Sequence, residues 1–307
     1  MSPSPLPSNA SRSGDPSPPL SINQLALNHC RERLFVHPLF WTNRQLELLQ
    51  CSFNDPCPAP PLTSIHFTGE LSGLPFVVRL FKRQQMLDRE RSILDILAHS
   101  ECPLIDRKNL PFYFNGRGRV ILHCASLFLR GKPDARSHPI AAYIDEQHLQ
   151  LFRSEALEPK VPRRQGRRTA ARIAYAIHKL RLKSITPIEP LRDPYIVALL
   201  IAVAQEQYQQ ALERSGDSQQ DCPRTFPSQV LFSSPKRECL HLYTADISSA
   251  FLDKLMTPAF PPSTETSVSI QVTVIPYVPG RSLRDRLLAL VLPPQNRCKG
   301  HSHNNRE

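Results

Sequence analysis

Glycine, spaced cysteine pairs and long apolar runs are scarce in this sequence, and each shortage excludes a class of protein. Only 10 glycines accompany 31 prolines among 307 residues. This balance favours extended connectors and rigid turns over glycine-rich loops that cradle phosphate. Gly116 and Gly118 form a lone Gly-x-Gly without a third glycine, which predicts a hairpin turn. The longest apolar run, 195–204, is about half of the ~20 residues that a membrane-spanning helix needs, so we expect no nucleotide cofactor and no membrane span.

The eight cysteines are scattered and show no Cys-x-x-Cys spacing. The first residues lack the apolar core of a secretory signal, so we expect reduced thiols in a protein of the cytoplasm or nucleus that is not secreted. Zinc needs about four convergent ligands, and the remaining His and Cys spacings are irregular. The sequence therefore predicts no metal site and leaves a disulfide between Cys51 and Cys57 as an alternative to free thiols.

Helical and β-hairpin patterns are mixed along the chain without a strict β-α-β alternation. This mixture predicts the α+β class, with helices and short antiparallel hairpins and a possible two-lobed arrangement. Residues 1–20 are rich in Ser and Pro and residues 295–307 are polar, so both segments are predicted to be disordered tails. The globular part is then 21–294, with a possible seam near 155–190.

Individual elements follow from the period of the apolar residues. Helices are predicted at 21–35, 43–53, 87–100, 193–214, 246–256 and 282–294. Strands are predicted as hairpins at 64–81, 110–129, 139–152 and 229–246, with a further strand at 267–276. The helix after Asp193, a capping residue, begins with Pro194 and is apolar on every side at first, so we expect it to be central and buried.

Three blocks of the chain resemble a group of proteins from filamentous fungi for which no activity is known. The blocks are HPIAAYIDEQHLQLF, DPYIVALLIAVAQEQ and LHLYTADISSAFLDKL, and the likeness extends over roughly residues 21–290. The resemblance implies a fungal intracellular protein. It supplies no catalytic residue.

A fainter likeness lies upstream, where FTGELSGLPFVVRLFKRQQMLDRERSILDIL resembles the small lobe of a protein kinase. Glu90 lies on its helix, but Arg79 stands where a kinase has its phosphate-binding lysine, and the two side chains differ in shape. A glycine-rich nucleotide loop, a His-Arg-Asp loop and an Asp-Phe-Gly motif are all absent. The resemblance therefore implies at most a degenerate kinase-like protein.

A basic segment at 160–183 stands out against the net charge of +11 of the whole chain. Its candidate anion-binding residues are Lys160, Arg163, Arg164, Arg167, Arg168, Arg172, Tyr175, Lys179 and Lys183. Three interpretations are open: a solvated helix face, a nuclear-import signal, or a surface that binds nucleic acid or an acidic protein. We expect a non-enzymatic binding or scaffold protein that uses this segment.

A helix over 168–183 places the basic residues in one row and apolar residues on the opposite side. The apolar side consists of Ala170, Ile173, Ala174, Ile177 and Leu180. We expect this side to face the core.

An enzymatic alternative is a metal-dependent nuclease. Asp145 is followed by Glu158-Pro-Lys160, the loose spacing of a carboxylate and a Glu-x-Lys pair that hold a metal ion and position a base. Glu206 is a candidate further ligand in this interpretation only. Pro159 argues against it, because proline does not fit a central strand.

Overall fold

The structure is a computed structural model, and it describes residues 19–61, 86–100, 102–114, 119–131, 138–159, 168–215, 224–234, 238–262, 264 and 266–293. The predicted hairpin at 64–81 and the predicted tail at 295–307 lie outside these residues. Of the predicted tail at 1–20, only residues 19 and 20 are described, and both are exposed.

Within the described ranges the chain forms eight α-helices, labelled α1 to α8 in chain order. They are Ile22–Asn28 (α1), Asn43–Leu49 (α2), Met86–Ala98 (α3), Glu146–Leu157 (α4), Arg168–Ile185 (α5), Pro194–Ser215 (α6), Ser249–Met256 (α7) and Leu283–Val291 (α8). Eight strands accompany them in the same ranges. They are Cys51–Phe53 (β1), Cys57–Pro58 (β2), Leu104–Tyr113 (β3), Arg119–Leu129 (β4), Ala141–Asp145 (β5), Thr225–Ser233 (β6), Cys239–Ser248 (β7) and Val268–Pro276 (β8). The α+β class is confirmed.

The described strands form one mixed sheet in the order β1-β8-β7-β6-β5-β4-β3, with β2 also paired to β8. Neighbours are antiparallel except for β5 with β6 and for β1 and β2 with β8, which run parallel. The stretch 155–190, the possible seam, lies between β5 and β6, and these two strands pair side by side.

Helix α6 is the centre of the larger hydrophobic core. Its residues from Tyr195 to Ala204 are all completely buried, and it packs on one face of the sheet against β3, β5, β6 and β7. The Asp193 carboxylate accepts a hydrogen bond from the Tyr195 amide at 2.9 Å. The prediction of a capped, central helix is therefore confirmed, and its second half becomes exposed towards Glu213.

The opposite face of the sheet is covered by α3 and α8. Ile93 and Leu97 of α3 pack with Leu287 and Val291 of α8 in a second apolar cluster that includes Tyr143 of β5. The central strands β5, β6 and β7 thus lie between two helical layers.

The predicted hairpin at 139–152 is wrong, because a strand is followed there directly by a helix. Asp145 ends β5 and caps α4, its side chain accepting a hydrogen bond from the Gln147 amide at 2.9 Å. This capping replaces the turn that a second strand would need. The helix predicted from Asp246 is also displaced, because β7 extends to Ser248 and the Ser248 side chain caps α7.

Two predicted N-terminal helices are shorter than expected. Helix α1 ends at Asn28, and a short 3-10 turn leads to Arg33, which has a left-handed backbone at φ 45°. Helix α2 ends before Gln50, which is also left-handed at φ 59°, and residues 51–53 form a strand.

Cys51 and Cys57 are free thiols, so the alternative disulfide is wrong. Burial raises the pKa of the Cys51 thiol to about 12, which makes it inert. Among the described helices, none combines the length and the apolar character that crossing a bilayer requires.

Candidate binding surface on helix α5

Helix α5 carries the second half of the basic segment and is attached to the rest of the protein along one narrow side. That side consists of the half-buried residues Ala174, His178, Leu182 and Ile185. His178 Nδ1 donates a hydrogen bond to the Leu157 carbonyl of α4 at 3.1 Å. Most of the described circumference of α5 is therefore open to solvent.

The basic row on α5 is exposed as the sequence predicts. Arg172, Lys179 and Lys183 lie on one side with Tyr175, whose side chain is 56% exposed. No carboxylate among the described residues forms an ion pair with these three cations. Arg168 begins the helix. Lys160, Arg163, Arg164 and Arg167 lie outside the described residues, so the nuclear-import interpretation stays a prediction.

The prediction that the apolar side of α5 faces the core is wrong for three of its residues, whereas Ala174 is half-buried on the side that meets α4. Ile173, Ile177 and Leu180 are 56%, 45% and 69% exposed, and we call these three residues the apolar stripe. At about 100° per residue, the stripe lies roughly a third of a turn from the side that meets α4. The basic row lies roughly another third of a turn away on the other side of the stripe, so α5 presents charge and apolar surface on two neighbouring sides.

The residues of the nuclease alternative are not brought together in the described part of the chain. Asp145 and Glu158 stand at opposite ends of α4, and a helix of this length separates them by roughly 18 Å. Glu158 is exposed, and Lys160 lies outside the described residues. No group of His, Cys, Asp or Glu side chains suited to hold a metal ion occurs among the described residues. Glu206 is half-buried on α6, and the described residues therefore offer no set of metal ligands to which it could belong.

Asp145 instead belongs to a buried ion pair that sequence reasoning missed. Arg89 of α3 donates to both of its carboxylate oxygens, at 2.5 and 2.6 Å, and Ser233 of β6 donates to Oδ2 at 2.6 Å. Both oxygens are occupied, and both charged side chains are at most 1% exposed. This pair fastens α3 to the ends of β5 and β6.

A second buried ion pair joins α4 to the start of α6. Arg153 donates to the two carboxylate oxygens of Asp193 at 2.6 and 2.7 Å, and its Nε donates to the Leu39 carbonyl at 3.1 Å. Such bidentate pairs hold two elements in a fixed orientation. The residues are 40 positions apart in sequence, so no local pattern announces them.

Glu146, the first residue of α4, lies between these two ion pairs. Burial raises its pKa to about 7, and the negative charges of Asp193 and Asp145 add to the effect. Its Oε2 atom has no hydrogen-bond partner among the described residues. Glu146 is therefore a buried carboxyl group with one unpaired oxygen, placed between two ion pairs.

The kinase-like interpretation depends mainly on residues outside the described ranges, including Arg79. Glu90 is described, and its Oε2 lies 2.8 Å from Nδ1 of His148 on α4. The ring of His148 stacks in turn on Phe152, with ring centroids 4.2 Å apart. In the described ranges, Glu90 thus links α3 to α4 through its contact with His148.

No protein-family model matches this sequence, and a search of curated proteins finds no significant match. The resemblance to fungal proteins stays a prediction.

Proposed function

We propose that this protein is a binding or scaffold protein whose helix α5 docks into an apolar groove of an acidic partner protein. The observation that carries the proposal is the exposed apolar stripe beside the basic row. Ile173, Ile177 and Leu180 are spaced at i, i+4 and i+7, which is the spacing of the anchor residues when an amphipathic helix binds in a groove.

The apolar stripe favours a protein over a nucleic acid as the partner. A phosphate backbone would engage Arg172, Lys179 and Lys183, and Tyr175 offers a ring for a base to stack on. It would leave the apolar stripe in water. An acidic protein with an apolar groove satisfies both sides of the helix at once.

The apolar stripe and the basic row contribute to binding in different ways. Covering three half-exposed aliphatic side chains contributes roughly 1 kcal/mol each, from the usual value per unit of apolar area. Lysine and arginine at the rim of an interface add less affinity, but they accelerate association and select against basic partners. The stripe therefore supplies affinity, while the basic row supplies selectivity.

The test measures how tightly the full chain binds each of four probes. Calcium-loaded calmodulin represents an acidic protein with an apolar groove. The other probes are a 20-base-pair DNA duplex, a 20-nucleotide RNA and anionic phosphatidylserine vesicles. Dissociation constants are measured at 50 and 200 mM salt. One triple variant replaces Ile173, Ile177 and Leu180 by Gln, and the matched triple variant replaces Arg172, Lys179 and Lys183 by Gln. Because all six side chains are exposed, both variants should fold.

We expect calmodulin to bind and each triple variant to weaken that binding. The apolar variant should lose about 10-fold or more, and this loss should depend little on salt. If only DNA or RNA binds, and only the charge variant loses this binding, the partner is a nucleic acid and not an acidic protein. If the protein binds vesicles but not calmodulin, and both variants lose the vesicle binding, the partner is a membrane surface. If none of the four probes binds, α5 is a solvated face and the proposal is wrong.

A further inference from the structure

A cleft of about 480 Å³ lies between the C-terminal end of α5 and the segment that joins α1 to α2. Its charged lining consists of Arg31, Glu32 and Arg33 from that segment and Arg181 from α5. Clefts of this volume accept small organic ligands. Arg181 lies outside both the apolar stripe and the basic row, so the cleft does not depend on the proposed function.

The one acidic side chain of the described lining is already engaged. Glu32 Oε2 accepts a hydrogen bond from Arg44 Nε of α2 at 2.5 Å, and this bond is the main reason that the pKa of Glu32 is lowered. No described carboxylate forms an ion pair with Arg31, Arg33 or Arg181. Three arginines and one glutamate leave a net charge of two positive on the described lining.

Arg33 has an unfavourable backbone conformation for an arginine. Its φ and ψ of 45° and 60° are left-handed, a region that residues other than glycine rarely adopt. The chain is fixed on both sides, because Gln45 Nε2 donates to the Glu32 carbonyl at 3.0 Å and Leu34 is buried in the core. Residues held in such conformations concentrate at functional sites. The backbone at Arg33 therefore costs free energy that a glycine at this position would not.

Apolar side chains complete the described lining. They are Val36, Phe40, Leu157 and Ile185. A ligand that matches this cleft therefore has a charge near two negative at one end and an apolar group at the other.

We propose that the cleft binds a phosphate monoester that carries an apolar group. A phosphate monoester has a charge of about −1.5 to −2 near neutral pH, which balances the lining. Guanidinium groups donate paired hydrogen bonds to phosphate oxygens, and three arginines line the cleft. The apolar side chains cover the ester group. The same chemistry occurs in a small metabolite and in a phosphorylated side chain of a protein.

The experiment titrates phenyl phosphate into the full chain by isothermal titration calorimetry, beside inorganic phosphate, phenol and a phosphotyrosine peptide. Arg33→Gly removes one guanidinium and relieves the backbone, and Arg181→Gln removes another. Gln50→Gly is the backbone control, since Gln50 has the same left-handed conformation but does not line the cleft. Arg214→Gln is the charge control, since Arg214 is an exposed arginine that neither lines the cleft nor belongs to the basic row. Circular dichroism verifies that each variant folds.

We expect saturable binding of phenyl phosphate that is tighter than that of inorganic phosphate or phenol. Arg33→Gly and Arg181→Gln should each weaken it about 10-fold or more, as expected for a lost hydrogen bond between charged groups, and both controls should bind like the wild type. The phosphotyrosine peptide distinguishes the sources, because tighter binding than phenyl phosphate indicates a protein side chain and equal or weaker binding a small molecule. The proposal is overturned if phenyl phosphate shows no saturable binding, if inorganic phosphate binds equally well, or if Arg33→Gly and Arg181→Gln bind like the wild type.

Discussion

Glu146→Gln should make this protein more stable at neutral and alkaline pH. Burial and the charges of Asp193 and Asp145 raise the pKa of Glu146 from about 4.5 to about 7, although Arg89 and Arg153 oppose the shift. Each pKa unit corresponds to 1.36 kcal/mol, so ionised Glu146 destabilises the folded state by an amount of the order of 3 kcal/mol. Glutamine has almost the same shape and no charge. We therefore expect the variant to gain about 3 kcal/mol at pH 8 and less than about 1 kcal/mol at pH 5.

The sign follows from the protons bound by each state. Between pH 4.5 and 7 the folded protein holds a proton on Glu146 that the unfolded chain has released. This contribution to stability is therefore fully present below the unfolded pKa of about 4.5 and is lost as the pH rises towards 7. His37 and His241 act in the opposite direction, because burial lowers their pKa values in the folded state. Only the difference between the wild type and Glu146→Gln isolates the carboxyl group.

Urea unfolding at pH 5, 6, 7 and 8 measures this difference, provided that the m-value stays the same in both proteins. Glu155→Gln is the matched control, because Glu155 lies on the same helix with an exposed side chain. It should follow the wild type at every pH. A stability difference between Glu146→Gln and the wild type that is constant from pH 5 to pH 8 would refute the reasoning.

Further perturbations test the core, the second ion pair and the strained backbone. Leu199→Ala, in the fully buried part of α6, should lower the free energy of unfolding by about 2–5 kcal/mol in urea titrations, and a loss below about 1 kcal/mol would mean that α6 is peripheral. Arg153→Ala should cost about 3–5 kcal/mol by the same measurement, because it leaves Asp193 buried without its partner, whereas Arg153→Met with Asp193→Leu should cost much less. Gln50→Gly and Arg33→Gly should each stabilise the fold by roughly 0.5–1 kcal/mol, since glycine tolerates a positive φ; a decrease in the melting temperature would contradict this.

Elements with a strong, long pattern could be predicted from the sequence alone. Helix α6 carries a capping aspartate, a proline in its first turn and an apolar run, and these local signals agree with its place in the core. The alternation of Val268, Ile270 and Val272 likewise predicts β8, and all three are buried. In both elements the conformation that the local sequence favours is also the one that buries the apolar side chains in the core.

Element ends were harder to predict, because a single side chain decides them. The sequence 139–152 has an apolar pattern that fits a strand at first and a helix afterwards. The change occurs at Asp145, whose carboxylate caps α4 and also binds Arg89 from a distant part of the chain. Periodicity alone does not reveal such a dual role.

The candidate site was predicted in part. The exposed basic row on α5 follows from helical periodicity, but the exposure of Ile173, Ile177 and Leu180 does not. Periodicity identifies an apolar side of a helix without saying which neighbour, if any, covers it. The left-handed conformation of Arg33 and the cleft that it lines have no sequence signal, because arginine gives no sign of a positive φ.

The pairing of β1 and β2 with β8 has a consequence for how the protein is made. Asn54, which follows β1, hydrogen-bonds to Gln271 of β8 across 217 residues of chain. At about 5–20 residues per second, a ribosome needs roughly 10–40 s to synthesise that interval. During this time the N-terminal strands have left the exit tunnel while the strand they pair with does not yet exist. A chain released before residue 268 would expose the unpaired edge of β7, a template for aggregation. Nascent chains of this protein should therefore depend on chaperones until the last strand emerges.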